Sequence, residues 1–282
     1  TIISINLLSL YLVMAKVIPS LDKINKLTVA PELGEYKLLE FLSKNLDESF
    51  EIYFNPYLNG DRPDIIIMKK GQGVMIIEVK DWELKSYYID ERKNWRVKNT
   101  NENFIIKSPI QQVLKYKENL YNLHIEGLLE HKIKDYRYWN VVSCAVFFSK
   151  SKQQQIIDLL VTPYELDHGY QKFLDKNIVL IGSDNLTNQF FIDIFKKRYL
   201  ISDKPSFLLN DSLYNSFKRF LQPPLHLKEQ GEDFFYSPEQ QKLVYQKDKK
   251  EQRINGVVGS GKTTVLAGRA IQIYKRLNDE NQ

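Results

Sequence analysis

Hydrophobic positions along this chain follow two periods, and the switches between them outline an alternating fold. After Pro31-Glu32-Leu33-Gly34-Glu35, the apolar residues Tyr36, Leu38, Leu39, Phe41 and Leu42 recur near 3.6, which predicts a helix to about Asn45. Three β-rich runs follow, Phe50 to Phe54, Asp64 to Met68 and Val74 to Val79, with Gly71-Gln72-Gly73 joining the last two as an antiparallel hairpin. Leu84 to Ile89 and Asn94 to Val97 are weaker strand candidates. Pro109 stands where a first-turn proline belongs and opens a helix through Val113, Leu114, Leu120 and Leu123. Val141 to Phe148 is a continuous apolar run, the pattern of a strand buried on both faces. The order helix, three strands, helix, strand predicts an α/β sandwich around a mixed sheet.

From Lys150 to about Leu221 the pattern is mixed, with one clear helix from Gln189 to Tyr199. Pro223-Pro224 and the polar stretch Leu227 to Asp233 read as an interdomain linker. Beyond it Ser237 and Pro238 form a helix start, as N-cap and first helical residue. A short strand is expected at Arg253 to Val258, and a helix from Gly259 to near Leu277. The expected organisation is an apolar extension over 1–15, a first domain over 16–150 with a mixed extension over 151–221, a linker over 222–232, and a second unit over 233–282. The run Ile2 to Val13 is short of the roughly 20 residues that span a bilayer. It lacks the basic flank of a signal peptide. It reads either as non-native upstream sequence, with Met14 as an ordinary start, or as a peripheral membrane anchor.

Composition narrows the class. With 43% hydrophobic and 27% charged residues the chain is an ordinary globular one, not disordered, collagenous or coiled coil. Its single cysteine, Cys144, excludes an internal disulfide framework and fits a reducing compartment such as the cytoplasm. Forty Lys+Arg against 35 Asp+Glu leave a net charge of +5, which permits a polyanionic partner without demanding one.

The candidate chemistry lies in Pro63-Asp64 and Glu78-Val79-Lys80. The pattern Glu-x-Lys occurs five times, but only Glu78 and Lys80 follow an apolar run, Val74 to Ile77, which places both in a core strand. Charged groups are seldom buried without a partner. A hairpin centred on Gln72 would set Asp64 opposite Lys80 and Ile66 opposite Glu78, leaving Asp64 the diagonal neighbour of Glu78 on one face. Two carboxylates so placed can grip one hard divalent cation, Mg²⁺ or Mn²⁺, which acidifies a bound water and clamps a phosphoryl oxygen. Lys80 would orient the attacking water or steady charge on phosphorus. The competing reading is a surface hairpin with an ordinary Asp64–Lys80 salt bridge.

These residues resemble the PD-(D/E)xK nuclease superfamily, the proline before Asp64 included. Within it, residues 28–150 are similar to the nuclease-related domain (NERD) family, through Gly34-Glu35, the paired strands ending in Glu-Val-Lys, and Ser108-Pro109-Ile110-Gln111-Gln112. Ser108 stands where that family usually has Asn. The resemblance implies a restriction-endonuclease-like core, a helix, a three-stranded mixed sheet, a helix and a strand, and metal-dependent hydrolysis of DNA phosphodiesters. Gln112 and Tyr116 fit the Gln-x-x-x-Tyr motif of RecB-type nucleases. By that resemblance they would position substrate, and Glu35 would be a further acidic residue near the metal. Otherwise Glu35 is a first-turn carboxylate stabilised by the helix dipole, and Gln112 and Tyr116 lie on an exposed helix face.

At the other end, Gly256-Val257-Val258-Gly259-Ser260-Gly261-Lys262-Thr263 satisfies G-x-x-x-x-G-K-[ST] in full. Glycine N–H groups would cradle phosphates at a helix N-terminus, Lys262 would reach the β- and γ-phosphates of ATP, and Thr263 would ligate Mg²⁺. With Ser237-Pro238-Glu239-Gln240 upstream, residues 233–282 resemble the start of superfamily 1 DNA helicases, in which such a glutamine, here Gln240, lies against adenine. A Walker B acid, arginine fingers and second motor lobe are missing from these residues, so ATP hydrolysis is expected of a parent protein only. The alternative to a nuclease joined to a helicase is an inactive DNA-binding module serving a P-loop motor. The four histidines, His124, His131, His168 and His226, lack metal-ligand spacing. Lys196-Lys197-Arg198 reads either as a phosphate contact or as a solvated helix face.

Overall fold

The computed structural model describes residues 14–27, 29–98, 105–222, 236–245, 253–255 and 261–279. The apolar stretch 1–13, the linker residues 223–232 and the P-loop residues Gly256, Gly259 and Ser260 lie outside the described residues. The chain divides into two compact units, Thr1–Phe217 and Lys218–Gln282.

The first unit is built on a six-stranded mixed sheet. Its strands are β1 (Lys16–Ile18), β2 (Phe50–Phe54), β3 (Ile65–Lys69), β4 (Gly73–Lys80), β7 (Val142–Phe148) and β8 (Ile178–Gly182), in the order β1-β2-β3-β4-β7-β8. β2, β3 and β4 pair antiparallel, while β1 joins β2, β7 joins β4 and β8 joins β7 in parallel. A separate two-stranded ribbon consists of β5 (Tyr87–Ile89) and β6 (Trp95–Val97). The helices are α1 (Leu21–Ile24), α2 (Leu33–Asn45), α3 (Pro109–Asn119), α4 (Leu128–Lys134), α5 (Gln153–Leu160), α6 (His168–Asn177) and α7 (Asn188–Lys197). A further helix, Asp211–Leu221, contains the division between the units.

The four strands expected from the sequence, three in succession and one at Val141 to Phe148, are present as β2, β3, β4 and β7, and β1 and β8 extend the sheet at its two edges. β1 is three residues long, too short for alternation to register, and β8 sits between helices in the stretch read as mixed. That stretch also holds α5 and α6 besides the helix expected near Gln189. Leu84–Ser86 is a 3₁₀ turn and only Tyr87–Ile89 is strand. The helix opened by Pro109 ends at Asn119 and passes into a π-helical turn, Leu120–His124.

Burial follows strand parity. Ile65, Ile67, Met75, Ile77, Ala145 and Phe147 join Leu38, Leu39 and Leu42 of α2 and Phe191, Ile194 and Phe195 of α7 in one apolar cluster. On the opposite face α3 lies over β4 and β7, with Cys144, fully buried, directing its Sγ to the Val113 carbonyl oxygen at 3.7 Å. The sheet is the middle layer of three, and Glu78, two residues on from Ile76, belongs to the α3 face.

The hairpin register differs from the expected one. Ile65 pairs with Ile77, Ile66 with Ile76 and Ile67 with Met75, so the turn is centred at Gly71 rather than Gln72. Gly71 takes φ +70°, and Gln72 N–H closes the turn on the Lys69 carbonyl oxygen at 3.1 Å. The left-handed conformation falls where glycine admits it. Because the displacement is even, no side chain changes face: extending the register puts Asp64 at the level of Glu78, not opposite Lys80.

In the second unit a helix spans Pro238–Tyr245 and another Lys262–Asp279. Ser237 Oγ accepts the Gln240 N–H at 3.2 Å and Gln240 Oε1 accepts the Ser237 N–H at 3.0 Å, a capping box. Arg253–Asn255, expected to begin a strand, carry no regular structure, and the rest of that expected strand lies outside the described residues.

Candidate active site

The site forms where β4 leaves the sheet and β3 enters it. Glu78 is 1% exposed, the only buried carboxylate of β4. Its Oε1 accepts a hydrogen bond from the Lys80 ammonium at 2.5 Å, while its Oε2 is buried with no hydrogen-bond partner among the described residues. Asp64, in the bend just before β3, accepts the Val79 backbone N–H on Oδ2 at 2.6 Å. The two acids are close enough to repel each other. Burial first, and then the Glu78 charge, push the Asp64 carboxyl up to about 8. Burial raises Glu78 too, against the pull of Lys80.

Glu35 comes from the first turn of α2. Its Oε2 accepts the Glu32 N–H at 2.9 Å, so it serves as a helix cap. Its charge also reaches both Asp64 and Glu78. Gln112 and Tyr116 sit one turn apart on α3: Gln112 Nε2 donates to the Tyr116 hydroxyl at 2.8 Å. That hydroxyl reaches the Arg62 carbonyl oxygen at 3.5 Å, and Tyr116 is buried rather than exposed. Burial and the Glu78 charge push the Tyr116 phenol up to about 12. Of the six side chains expected to act together, Glu35, Lys80 and Tyr116 interact electrostatically with the Asp64 and Glu78 pair, and Gln112 joins them through Tyr116.

Two residues that sequence reasoning passed over complete the setting. Lys107, just before α3, exerts its charge on Glu78 and lies 6.0 Å from the Tyr116 ring centre. Asp81, directly after Lys80, ties α2 to the sheet: it accepts the Gly34 N–H at 3.2 Å and the Ser149 hydroxyl. A Cβ on Gly34 would stand 2.7 Å from the Ser149 side chain, so only glycine lets α2 approach the strand ends this closely and deliver Glu35. The signal for this was in plain view: a glycine in the first turn of a helix, where it weakens the helix unless packing requires it.

The donor set fits a hard divalent cation. An unpartnered buried carboxylate oxygen next to a second, repelled carboxylate is stabilised by positive charge, and Mg²⁺ is commonly held by one or two carboxylates with water completing its shell. Among the described residues no group of three or more His, Cys, Asp or Glu side chains is arranged to hold a metal, so a two-carboxylate site is what the residues offer.

In the second unit, Lys262 and Thr263 open the helix Lys262–Asp279, and Gly261 precedes it with φ +79°. Gln240 lies against that glycine, its Nε2 2.6 Å from where a Cβ would be. Among the described residues no helix is long and apolar enough to cross a membrane. No curated protein and no solved structure matches the chain. Residues 30–149, the span from just before α2 to the end of β7 that contains every residue of the first unit's site, match the family model described as nuclease-related domain.

Proposed function

We propose that the first unit cuts DNA phosphodiester bonds with the help of Mg²⁺ or Mn²⁺ held by Asp64 and Glu78. The observation that carries this reading is the buried pair itself, with Glu78 Oε2 left without a partner beside Lys80. When bound, a divalent cation supplies a water of lowered pKa and neutralises charge on a phosphoryl oxygen. The Val79 N–H holds Asp64 in a fixed orientation, and Lys80 both anchors Glu78 and brings a cation to the place where charge grows on the phosphate. Lys107 adds a second positive charge for the incoming backbone, and the Gln112–Tyr116 pair limits the poses the strand can take. The test is cleavage of plasmid and linear DNA with Mg²⁺ by the full chain, Glu78→Ala and Lys80→Ala. Loss of cutting by at least a hundredfold in both variants supports the reading; equal activity in all three overturns it in favour of a DNA-binding module.

A second activity accompanies it in our reading: ATP binding by the second unit as the start of a DNA helicase motor. It is favoured by the contact of Gln240 with Gly261 at the head of a helix that begins with Lys262 and Thr263. A motor that separates strands would feed the cutting site, in DNA repair or defence against foreign DNA in a cytoplasm.

A further inference from the structure

The basic run Lys196-Lys197-Arg198 finds a place away from the cutting site. A small cavity of about 40 Å³ opens at the start of β7, lined by Lys117, Lys176, Lys197 and Arg198 together with Asn140 and Ser143. No carboxylate lines it. The pairing of β4 with β7 matches Val74 with Val142 and Lys80 with Phe148, so this end of the sheet lies six residues, roughly 20 Å, from Lys80.

Lys117 is the unusual member. It is only 3% exposed, its ammonium lies 4.0 Å from the Trp139 ring centre, and it has no hydrogen-bond or ion-pair partner among the described residues. Arg198 donates hydrogen bonds to the carbonyl oxygens of Lys176, Asp175 and Ile178 and feels the Asp175 charge, while its Nε is buried with no hydrogen-bond partner among the described residues. One acid, Asp175, pairs with Lys197 at 2.5 Å and also acts on Arg198, which leaves the four cations only partly balanced. A buried cation left uncompensated is unfavourable. Gathering three more around it raises that cost unless an anion enters.

We propose that this cavity is an anion site that takes a phosphate group, with the Lys117 ammonium as its inner anchor. About 10–15 Å³ admits one water, so a cavity of about 40 Å³ has room for a compact tetrahedral oxyanion. The amide of Asn140 and the hydroxyl of Ser143 add neutral donors. Burial pulls the Lys117 ammonium down to about 8, aggravated by Arg198, Lys132 and Lys176, the situation a bound dianion would reverse. The same chemistry is offered by free phosphate and by the terminal phosphate of a DNA strand. The inference does not depend on the cleavage reading.

The test is calorimetric titration of inorganic phosphate into the full chain at constant ionic strength, with Lys117→Met and with the exposed pair Lys176→Gln/Lys197→Gln. Saturable one-site binding, weakened at least tenfold by Lys117→Met and at least threefold by the double variant, is expected. Should Lys117→Met fail to fold, the double variant carries the test. A second arm compares a 5′-phosphorylated oligonucleotide with its unphosphorylated twin. Tighter binding of the phosphorylated strand, relieved by inorganic phosphate, assigns the site to DNA ends; equal binding assigns it to free phosphate. A phosphate response that does not saturate and is unchanged in both variants, with the two oligonucleotides bound equally, overturns the proposal.

Discussion

Asp64 and Val79 are joined by a 2.6 Å hydrogen bond from the backbone N–H of β4 to the carboxylate that precedes β3, and this bond holds Asp64 near Glu78 although the two acids repel. Burial of Asp64, and then the Glu78 charge, outweigh the pull of this bond and make the pair pH-dependent. In the unfolded chain Asp64 ionises near its ordinary value of about 4, whereas in the fold it does so at about 8. Between those values the native state binds more protons, so its stability falls as pH rises from about 4 to about 8. With EDTA present, Tm should decline over that range. Asp64→Asn keeps an acceptor for Val79 and removes the charge, so it should flatten the decline and raise Tm at pH 8. An unchanged slope in the variant would show that another group is responsible.

The ion pair of Glu78 and Lys80 is mostly buried, with side-chain exposures of 1% and 18%. Lys80→Ala leaves a buried carboxylate without its counter-charge and should cost about 3 kcal/mol, the low end for a pair whose lysine is partly exposed, while Glu78→Gln/Lys80→Ala should lose less than the sum of its parts. Urea unfolding of the four proteins measures the coupling, expected at about 1–2 kcal/mol. Strict additivity would mean that the pair contributes nothing to stability.

Gly34→Ala tests how closely α2 approaches the sheet. The added methyl has no room beside Asp81 and Ser149, so helix propensity, which favours alanine, should be outweighed by a clash costing about 1–3 kcal/mol. At about 2–4 °C per kcal/mol for a unit of this size, thermal denaturation should register a fall of several degrees. DNA cleavage should drop as well, since Glu35 is the next residue.

Tyr116→Phe and Gln112→Ala each break the 2.8 Å bond between these side chains. If the pair acts as one positioning unit, the double variant should cleave DNA no more slowly than the worse single variant, and KM should rise more than kcat falls. Multiplying effects would mean that each contacts substrate alone.

For the second unit, Lys262→Ala should weaken binding of a fluorescent ATP analogue at least tenfold while leaving cleavage by the first unit intact. Binding that survives the substitution would remove the nucleotide reading of this segment.

Much of this architecture was legible because long apolar stretches leave little choice. Val142–Phe148 is buried throughout, and Ile65–Met68 and Val74–Val79 alternate around a glycine turn whose parity fixes the face of Glu78. The register was misjudged by an even step because both Gly71 and Gly73 could turn the chain, and only the backbone reveals that Gly71 takes the left-handed conformation. β8 was missed although Ile178–Gly182 is apolar, since helices closely flank it and blur its edges. Tertiary partners such as Lys107 and Asp81 carry no local signal: their roles arise from residues far away in the chain.

The position of the two outermost strands bears on how this protein can be handled in pieces. β1 and β8 close the sheet on either side, and both fall outside residues 30–149. A fragment trimmed to those limits would keep the whole β3–β4 hairpin with Asp64 and Glu78 yet bare the flanks of β2 and β7, two strands whose residues are buried throughout. Unsatisfied strand flanks invite other chains to add to them, so such a fragment would be sticky for reasons unrelated to its chemistry, and a well-behaved piece begins before Lys16 and runs past Lys197, keeping β1, β8 and the apolar face of α7.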